Sequence, residues 1–344
     1  MTDSTLRLPA EWEPQAAVLI AWPHAGTDWA ERLVAVETTY LALAAAITRF
    51  QPLIVVVADA ELRAHVQSRL RDAGVELSEI RLVELPYDDT WLRDSGPITL
   101  KRGDTGFQLT YFRFTGWGGK FGAEQDDALV AGLVDAGVFG HAAHQRIDWA
   151  LEGGGIESDG AGSILTTWRC LVQRHPEQSR EEMSAILRDS LHADRVLWLD
   201  HGYLEGDDTD AHIDTLARFA ATDAIVFQDC SDAGDPHYPE LQAMAAELAA
   251  MRTADGTPYR LFALPWPKPI VDENRRLAAS YANFLIVNGA VLMPAYGDPA
   301  DAEAREVLEQ AFPGREIVPV PCRPLIWQNG SLHCITMQLP EGIA

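Results

Sequence analysis

The chain has 344 residues, of which 47% are hydrophobic and 23% charged, a composition typical of a globular protein with a substantial core. Its formal net charge of −24 disfavours nucleic acid and anionic membranes as partners, and it either attracts small cations or serves solubility alone. No apolar run approaches the roughly 18–20 residues of a membrane-spanning helix, and the N-terminus lacks the basic and apolar regions of a signal peptide, so a cytoplasmic protein is expected.

Six segments have the apolar periodicity or the capping residues of helices. In segment 179–191, Ser179 and Glu182 have the spacing of a capping box. In segment 298–312, Asp298 is expected to cap a helix whose first position is a proline. In chain order, the predicted helices are residues 31–50, 60–72, 126–135, 179–191, 238–252 and 298–312.

Short β-branched or apolar runs lie between the helices, and several adjoin glycine-containing turns. Asn288-Gly289, for example, predicts a tight hairpin turn between two such runs. The predicted strands are residues 17–22, 53–57, 80–85, 164–167, 195–199, 224–227, 283–287, 290–293 and 317–320.

The order strand, turn, strand, helix, strand occurs in residues 151–199 and again in residues 283–320. About five such modules, each near 60 residues, would account for the whole length. If the modules close into a ring, equivalent positions of successive modules converge on its axis. An ordinary doubly wound α/β domain is the alternative, since it also alternates strands and helices.

Four polar positions recur with a similar period. They are separated by 58, 60 and 122 residues, the last being about twice the others, and they are Asp94, Glu152, His212 and Cys334. A doubly wound domain does not predict this recurrence, so the spacing favours the ring.

The four cysteines are too few and too scattered for a disulfide framework, so reduced thiols are expected. Cys170 and Cys230 lie near apolar runs, as small buried side chains do. Cys334 instead follows the turn Asn329-Gly330-Ser331 and has polar neighbours. Because a nucleophilic thiolate needs partial exposure and a segment that presents it, Cys334 is the candidate nucleophile.

His212 and Asp214 form a His-x-Asp pair in the acidic segment 207–214. In an extended segment, alternate side chains share a face, so the carboxylate is expected to raise the basicity of the imidazole and to fix its tautomer. The density of acids also allows a divalent metal site. No second histidine stands at a ligand spacing, which favours the acid–base pair over a metal.

Glu152 and Asp94 are the other two candidate site residues. Glu152 precedes three glycines, which either allow a close backbone approach to a ligand or form a loose turn. Asp94 lies three residues after Trp91, and a carboxylate beside an aromatic face can hold a planar cation. A surface turn is the alternative explanation for the acids of this segment.

Taken together, the motifs resemble those of the agmatine deiminases, relatives of bacterial peptidyl-arginine deiminase within the guanidino-group-modifying (pentein) superfamily. The resemblance covers nearly the whole chain. Its motifs are Glu13-Pro14-Gln15, Ala21-Trp22-Pro23, Trp91-Leu92-Arg93-Asp94-Ser95-Gly96-Pro97, Gly116-Trp117-Gly118-Gly119, Leu151-Glu152-Gly153-Gly154, Asp210-Ala211-His212-Ile213-Asp214, Ser280-Tyr281-Ala282-Asn283-Phe284 and His333-Cys334-Ile335-Thr336.

The resemblance implies an α/β fold, a five-bladed propeller of ββαβ modules that forms one catalytic domain over residues 1–344. It also implies hydrolysis of agmatine to N-carbamoylputrescine and ammonia, a step that supplies putrescine biosynthesis, with no metal or organic cofactor. By position, Cys334 would be the nucleophile and His212 the general acid and base. Asp94 and Asp214 would hold the guanidinium, and Glu152 would contact the substrate or His212.

The resemblance also makes Trp91 and Trp117 candidates for packing on the substrate. The chain departs from the family pattern at Ala211, where a glycine usually precedes the catalytic histidine, and in residues 327–331 before the cysteine. These departures leave the substrate open. Alternatives are another guanidine such as free or peptidyl arginine, a metal-dependent hydrolase, and a non-catalytic polyamine-binding propeller. The sequence does not decide whether the protein forms a homo-oligomer.

Overall fold

Strands and helices alternate along most of the chain in the computed structural model, which describes residues 6–103 and 106–343. The strands of these residues are Gln15–Ala21 (β1), Leu53–Val57 (β2), Ile80–Glu84 (β3), Ile98–Arg102 (β4), Gly106–Arg113 (β5), Ala143–Ala150 (β6), Ile156–Ser158 (β7), Ser163–Thr167 (β8), Arg195–Leu199 (β9), Ala217–Ala221 (β10), Ala224–Gln228 (β11), Arg260–Leu264 (β12), Val271–Asp272 (β13), Arg275–Arg276 (β14), Leu285–Val287 (β15), Ala290–Ala295 (β16), Glu316–Pro321 (β17) and Met337–Pro340 (β18).

The helices range from single turns to four turns. Those of the described residues are Leu33–Ile47 (α1), Ala60–Asp72 (α2), Leu92–Ser95 (α3), Gly116–Gly119 (α4), Glu124–Asp135 (α5), Trp168–Arg174 (α6), Arg180–Leu191 (α7), Tyr238–Ala250 (α8) and Ala300–Ala311 (α9). Short 3-10 turns add Gly153–Gly155, Ile213–Thr215 and Leu325–Gln328, among others. None of the described helices is long and apolar enough to cross a membrane.

Four three-stranded sheets share one topology. In each sheet the first two strands are antiparallel, and the third, reached through a helix, runs parallel to the second. These sheets are β4-β5-β6, β7-β8-β9, β10-β11-β12 and β15-β16-β17. Their middle strands begin 57, 61 and 66 residues apart, at Gly106, Ser163, Ala224 and Ala290. The chain therefore repeats a ββαβ module with a period near that of the polar motifs.

A fifth, four-stranded sheet begins in the same way but uses both ends of the chain. Strand β18 pairs antiparallel with β1, and β1 pairs parallel with β2, which follows α1. Strand β3 is then added parallel to β2 through α2. Every residue of β2 is buried, as expected for a β-branched run in the interior of a parallel arrangement.

The described residues form two compact units. The first comprises residue 6, Glu13–Gly153 and residues 334–343, and the second comprises Arg7–Trp12 and Gly154–His333. In the first unit, the core includes Leu19, Val56, Leu133 and Leu339. In the second unit, the core includes Leu165, Phe219, Ile225 and Met244.

The helix predictions with capping signals had different outcomes. Helix α7 begins after Ser179, and both halves of its capping box with Glu182 are present, so this prediction is confirmed. The cap predicted for α9 is wrong, because Pro299 is the N-cap. Asp298 instead accepts a hydrogen bond of 2.9 Å from the backbone N–H of Ala300, two residues on, as aspartate does in a turn.

Several strands are absent from the sequence-based predictions. Strands β4, β5 and β6 carry Thr, Lys, Arg, Gln and His among their apolar residues, and β6 has four exposed residues at its start. Such strands have no continuous apolar run by which the sequence would mark them. They are stabilised by pairing with neighbouring strands rather than by their local pattern.

Candidate active site

In the first unit, three motifs meet at Arg93, in the buried helical turn α3 that also carries Asp94. The backbone N–H of Arg93 donates to the carbonyl oxygen of Cys334 over 3.1 Å. A Cβ atom on Gly153 would lie 2.2 Å from the carbonyl oxygen of Arg93, so only glycine allows this approach. The segments that carry Asp94, Glu152 and Cys334 thus all meet at Arg93. The role of Gly153 is to allow close packing of two backbones.

The Asp94 carboxylate has a defined partner in Trp117, whose indole Nε1–H donates to Asp94 Oδ2 over 2.9 Å. Trp117 has a left-handed backbone with φ of 56°, held in α4 by a hydrogen bond of 3.0 Å from the N–H of Gly118 to Thr115 Oγ1. A strained aromatic residue that orients a carboxylate is typical of a functional site.

Trp91 was expected to lie beside Asp94, but the indole bonded to Asp94 is that of Trp117. Trp91 is buried and packs on Trp29, with 5.7 Å between the ring centroids. Trp29 in turn donates from Nε1 to Thr90 Oγ1 over 2.9 Å. The structure therefore gives Trp91 a packing role in the first unit, and its role in substrate binding remains a prediction.

Cys334 is 4% exposed, so the expected partial exposure is wrong. Its polar sequence context is misleading, because Leu332 and Ile335, which flank it in the sequence, are fully buried as well. Glu152, at the end of the segment that follows β6, is fully buried as well. Burial of an ionised carboxylate costs free energy unless the carboxylate is hydrogen-bonded or paired with a charge.

In the second unit, His212 is fully buried and follows two residues with left-handed backbones, Asp210 and Ala211, at φ of 66° and 71°. The expected extended His-x-Asp segment is wrong, because His212 leads directly into the 3-10 turn Ile213–Thr215. Alternate side chains therefore do not share a face here, and Asp214 points to a partner elsewhere in this unit.

The acids before His212 are used to hold this loop. Asp207 accepts hydrogen bonds from the N–H groups of Thr209 and Ala211, over 2.8 and 2.7 Å. Asp210 pairs with the buried Arg174 over 2.7 Å. Since these carboxylates bond to protein donors, the alternative of a metal site in segment 207–214 loses support.

Asp214 is hydrogen-bonded to His333, for which the sequence predicted no role. Nδ1 of His333 lies 2.8 Å from Asp214 Oδ2, and Nε2 lies 2.8 Å from Glu11 Oε2 and 2.9 Å from Nη2 of Arg218. Arg218 also pairs with Glu11 over 2.8 Å and with Glu157. All five side chains are buried.

This network fixes the charge state of Asp214. Burial by itself would raise the pKa of the Asp214 carboxyl, but the hydrogen bond from His333 and its charge hold the pKa below its ordinary value. Likewise, burial would lower the pKa of Arg218, but Glu157 and Glu11 raise it. Asp214 is therefore an ionised carboxylate in an interior setting, suited to binding a cation.

A sequence signal existed for only part of this network. His333 adjoins the candidate nucleophile, and Asn283 lies in one of the recognised motifs; the N–H of His333 donates to Asn283 Oδ1 over 2.8 Å. The sequence around Glu11 and Arg218 does not mark either residue as part of the network. A buried charged side chain has the same kind of sequence context as an exposed one. Glu11, Glu157 and His333 have the spacing of a metal site, but the guanidinium of Arg218 already supplies their cation.

The remaining cysteines are buried, as expected for Cys170 and Cys230. Cys170 lies close to a candidate site residue, since its Sγ is within 4.8 Å of a ring nitrogen of His212.

A family model of the Porphyromonas-type peptidyl-arginine deiminases matches residues 7–340. The chain belongs to this family. An agmatine deiminase from Stutzerimonas stutzeri is 35% identical over 97% of this chain and 95% of its own length. The resemblance drawn from the motifs is thereby confirmed at the level of the family.

Solved structures of the family share the fold. A candidate arginine deiminase from Porphyromonas gingivalis is 44% identical, with a TM-score of 0.91 over 98% of this chain and 99% of that one. A cysteine-to-serine variant of agmatine deiminase from C. jejuni, solved with substrate bound, is 30% identical, with a TM-score of 0.90 over 99% and 98% of the two chains. These similarities confirm the α/β fold class.

Proposed function

We propose that this protein hydrolyses agmatine to N-carbamoylputrescine and ammonia through a covalent adduct on Cys334. The observation that carries the proposal is the joint at Arg93, which ties the backbone of Cys334 to the turn that presents the Asp94 carboxylate. Full-length similarity to agmatine deiminases supports the choice of substrate.

A guanidinium is planar and cationic, and its delocalised charge makes its carbon a poor electrophile. We assign Asp94 and Asp214 to its N–H groups, because charge-assisted, paired hydrogen bonds fix both the position and the plane of the group. The lowered pKa of Asp214 keeps that carboxylate ionised at neutral pH. The bond from Trp117 orients Asp94 before the substrate arrives.

The Cys334 thiolate attacks the guanidinium carbon and forms a carbon–sulfur bond. His212, as imidazolium, gives a proton to the departing nitrogen, and ammonia leaves to produce an amidino-thioether. His212 then takes a proton from water, and the hydroxide adds to the same carbon. The carbon–sulfur bond breaks and the new hydroxyl group loses its proton to solvent, which releases N-carbamoylputrescine and regenerates the thiolate. Glu152 would contact the substrate or His212. The bound cation itself favours thiolate over thiol.

The other features of the proposal follow the family resemblance. The repeated ββαβ modules would close into a five-bladed propeller and form one catalytic domain over residues 1–344. Trp91 and Trp117 would pack on the substrate. The chemistry requires no metal or organic cofactor. The enzyme would work in the cytoplasm and supply putrescine biosynthesis, either as a monomer or as a homo-oligomer.

Ammonia release from agmatine, free arginine and a peptide containing arginine, each with and without a chelator, tests this function. The proposal predicts turnover of agmatine that the chelator does not change. A preference for arginine would move the enzyme to the activity named for the P. gingivalis relative. Loss of activity with chelator would favour a metal-dependent hydrolase, and tight agmatine binding without ammonia release would favour a binding protein.

A further inference from the structure

His333 lies between two carboxylates. Its Nδ1 faces Asp214 Oδ2 at 2.8 Å, and its Nε2 faces Glu11 Oε2 at 2.8 Å. Because Asp214 is ionised, Nδ1 must carry the proton and donate it. The ring is 1% exposed, so neither contact competes with bulk water.

The opposite edge of the His333 ring is held by a rigid charged cluster. Nη2 of Arg218 lies 2.9 Å from Nε2 of His333 and also donates to Glu11 over 2.8 Å. A second nitrogen of Arg218 donates to the carbonyl oxygen of Phe284 over 2.7 Å, and the guanidinium lies 4.8 Å above the ring of Phe284. The cluster therefore fixes the plane of the imidazole from the edge opposite Asp214.

Asn283 holds the two backbones to which these side chains belong. Its Oδ1 accepts from the N–H of His333 over 2.8 Å, and its Nδ2 donates to the carbonyl oxygen of Asp214 over 3.3 Å. The distance between the two residues is thus set twice, once by the side chains and once by Asn283. A carboxylate held by such a pair of contacts keeps one orientation.

We propose that His333 is a positioning residue, whose Nδ1–H holds Oδ2 of Asp214 and so aims the rest of that carboxylate at the guanidinium of the substrate. The inference rests on the proposed function, in which Asp214 binds that group. His333 also directly precedes Cys334 in the chain, so the residue that orients the cation-binding carboxylate is covalently joined to the nucleophile.

Two amide variants separate the two edges of the ring. The amide nitrogen of asparagine falls near Nδ1 of histidine and that of glutamine near Nε2, so His333→Asn keeps a donor for Asp214 while His333→Gln keeps a donor only for Glu11. The experiment measures kcat and KM for agmatine, with the melting temperature of each variant as the control for folding.

We expect His333→Gln to raise KM by about 10- to 100-fold, the range for a lost hydrogen bond to a charged group, and His333→Asn to recover most of that loss at a similar melting temperature. Equal kinetics in the two variants, or losses that follow the melting temperature alone, would overturn the positioning role. If the wild-type protein releases no ammonia from agmatine, the proposed function fails instead.

A measurement that does not depend on turnover keeps the two failures apart. The Nδ1–H proton of His333 is expected as a downfield NMR signal that is lost in Asp214→Asn, and that shifts when agmatine is added to the Cys334→Ala variant. A signal that survives Asp214→Asn would refute the contact. A chemical shift that does not change when agmatine binds to Cys334→Ala would refute the link between His333 and the substrate.

Discussion

The indole N–H of Trp117 donates to Oδ2 of Asp94 across 2.9 Å, from a tryptophan whose own backbone is left-handed. A residue other than glycine keeps such a conformation only where its surroundings hold it. Its immediate neighbours are glycines, and a Cβ on Gly116 would lie 2.2 Å from the carbonyl oxygen of Phe121. The turn is therefore built to deliver one indole to one carboxylate.

Trp117→Phe should preserve the edge-on ring contact with Phe114 but remove the donor to Asp94. A hydrogen bond to a charged acceptor contributes about 1.5–3 kcal/mol, so kcat/KM for agmatine should fall by about 10- to 100-fold. Trp198→Phe is the control, because it removes a similar indole bond, of 3.0 Å, to Ser184. If both variants keep wild-type kinetics, Trp117 does not act through Asp94.

Asp94→Asn should remove one charge partner of the guanidinium and lower kcat/KM by several orders of magnitude, roughly 3–5 kcal/mol for a desolvated pair. Asp88→Asn is a matched control from the same polar segment. Asp88 accepts from the N–H of Gln125 over 2.7 Å at the start of α5, so its loss should affect stability and leave kinetics unchanged. Steady-state kinetics of the two variants decide which carboxylate binds the cation, and the reverse result would transfer that role to Asp88.

Ala211 has φ of 71° just before His212, which strains an alanine but not a glycine. Ala211→Gly relieves about 1–2 kcal/mol of strain but loses a buried methyl group and adds entropy to the unfolded chain. Its free energy of unfolding should therefore stay within about 1 kcal/mol of wild type. Ala217→Gly loses an equally buried methyl in β10 without relief of strain and should be the less stable variant by about 1–2 kcal/mol in urea denaturation. Equal destabilisation of the two would show that the Ala211 backbone is not strained.

The acidic cluster at the start of α5 should make stability depend on pH. Burial is the main cause that raises the pKa of Asp126 to about 7, and the same holds for Asp89. Because the unfolded carboxyl ionises near pH 4, the folded state keeps a proton that the unfolded state has lost between about pH 4 and 7. The free energy of unfolding should therefore fall as the pH rises through this window.

Asp126→Asn should flatten that dependence by up to about 1.4 kcal/mol per pH unit, since an amide does not ionise. Denaturation midpoints measured from pH 4 to pH 8 give the slope. Asp135→Asn is the matched control, because it removes an exposed carboxylate from the other end of α5. A slope that is unchanged in Asp126→Asn would mean that Asp126 is ionised throughout the window.

Local motifs in the sequence mark the candidate site residues, whose roles stay predictions. A glycine turn before Cys334, the His-x-Asp pair and the three glycines after Glu152 all lie within a few residues of the group they mark. The prediction failed where a side chain's partner is distant in sequence. Glu11 lies 322 positions from His333 and 207 from Arg218, so no local pattern could join them.

The prediction of the fold likewise succeeded where local residues determine an element and failed where a distant partner does. The fully buried strand β2 and the capped helix α7 are determined by their own residues. Strand β6 has an exposed, polar first half and depends on pairing with β5, and β18 depends on pairing with β1 at the opposite end of the chain. Exposure of Cys334 was misjudged for a related reason, because burial is decided by the segments that cover a turn rather than by the turn itself.

Trapping the covalent intermediate tests nucleophilic catalysis by Cys334 most directly. Wild-type protein is mixed with agmatine, quenched in acid within the first turnovers and digested, and the peptide that contains Cys334 is examined by mass spectrometry, with Cys334→Ser as the control. We expect an adduct on Cys334 that carries the amidino group and the aminobutyl chain, absent from the variant and from a sample without agmatine. Rapid ammonia release with an unmodified Cys334 peptide, or full activity in Cys334→Ser, would contradict nucleophilic catalysis by this thiol.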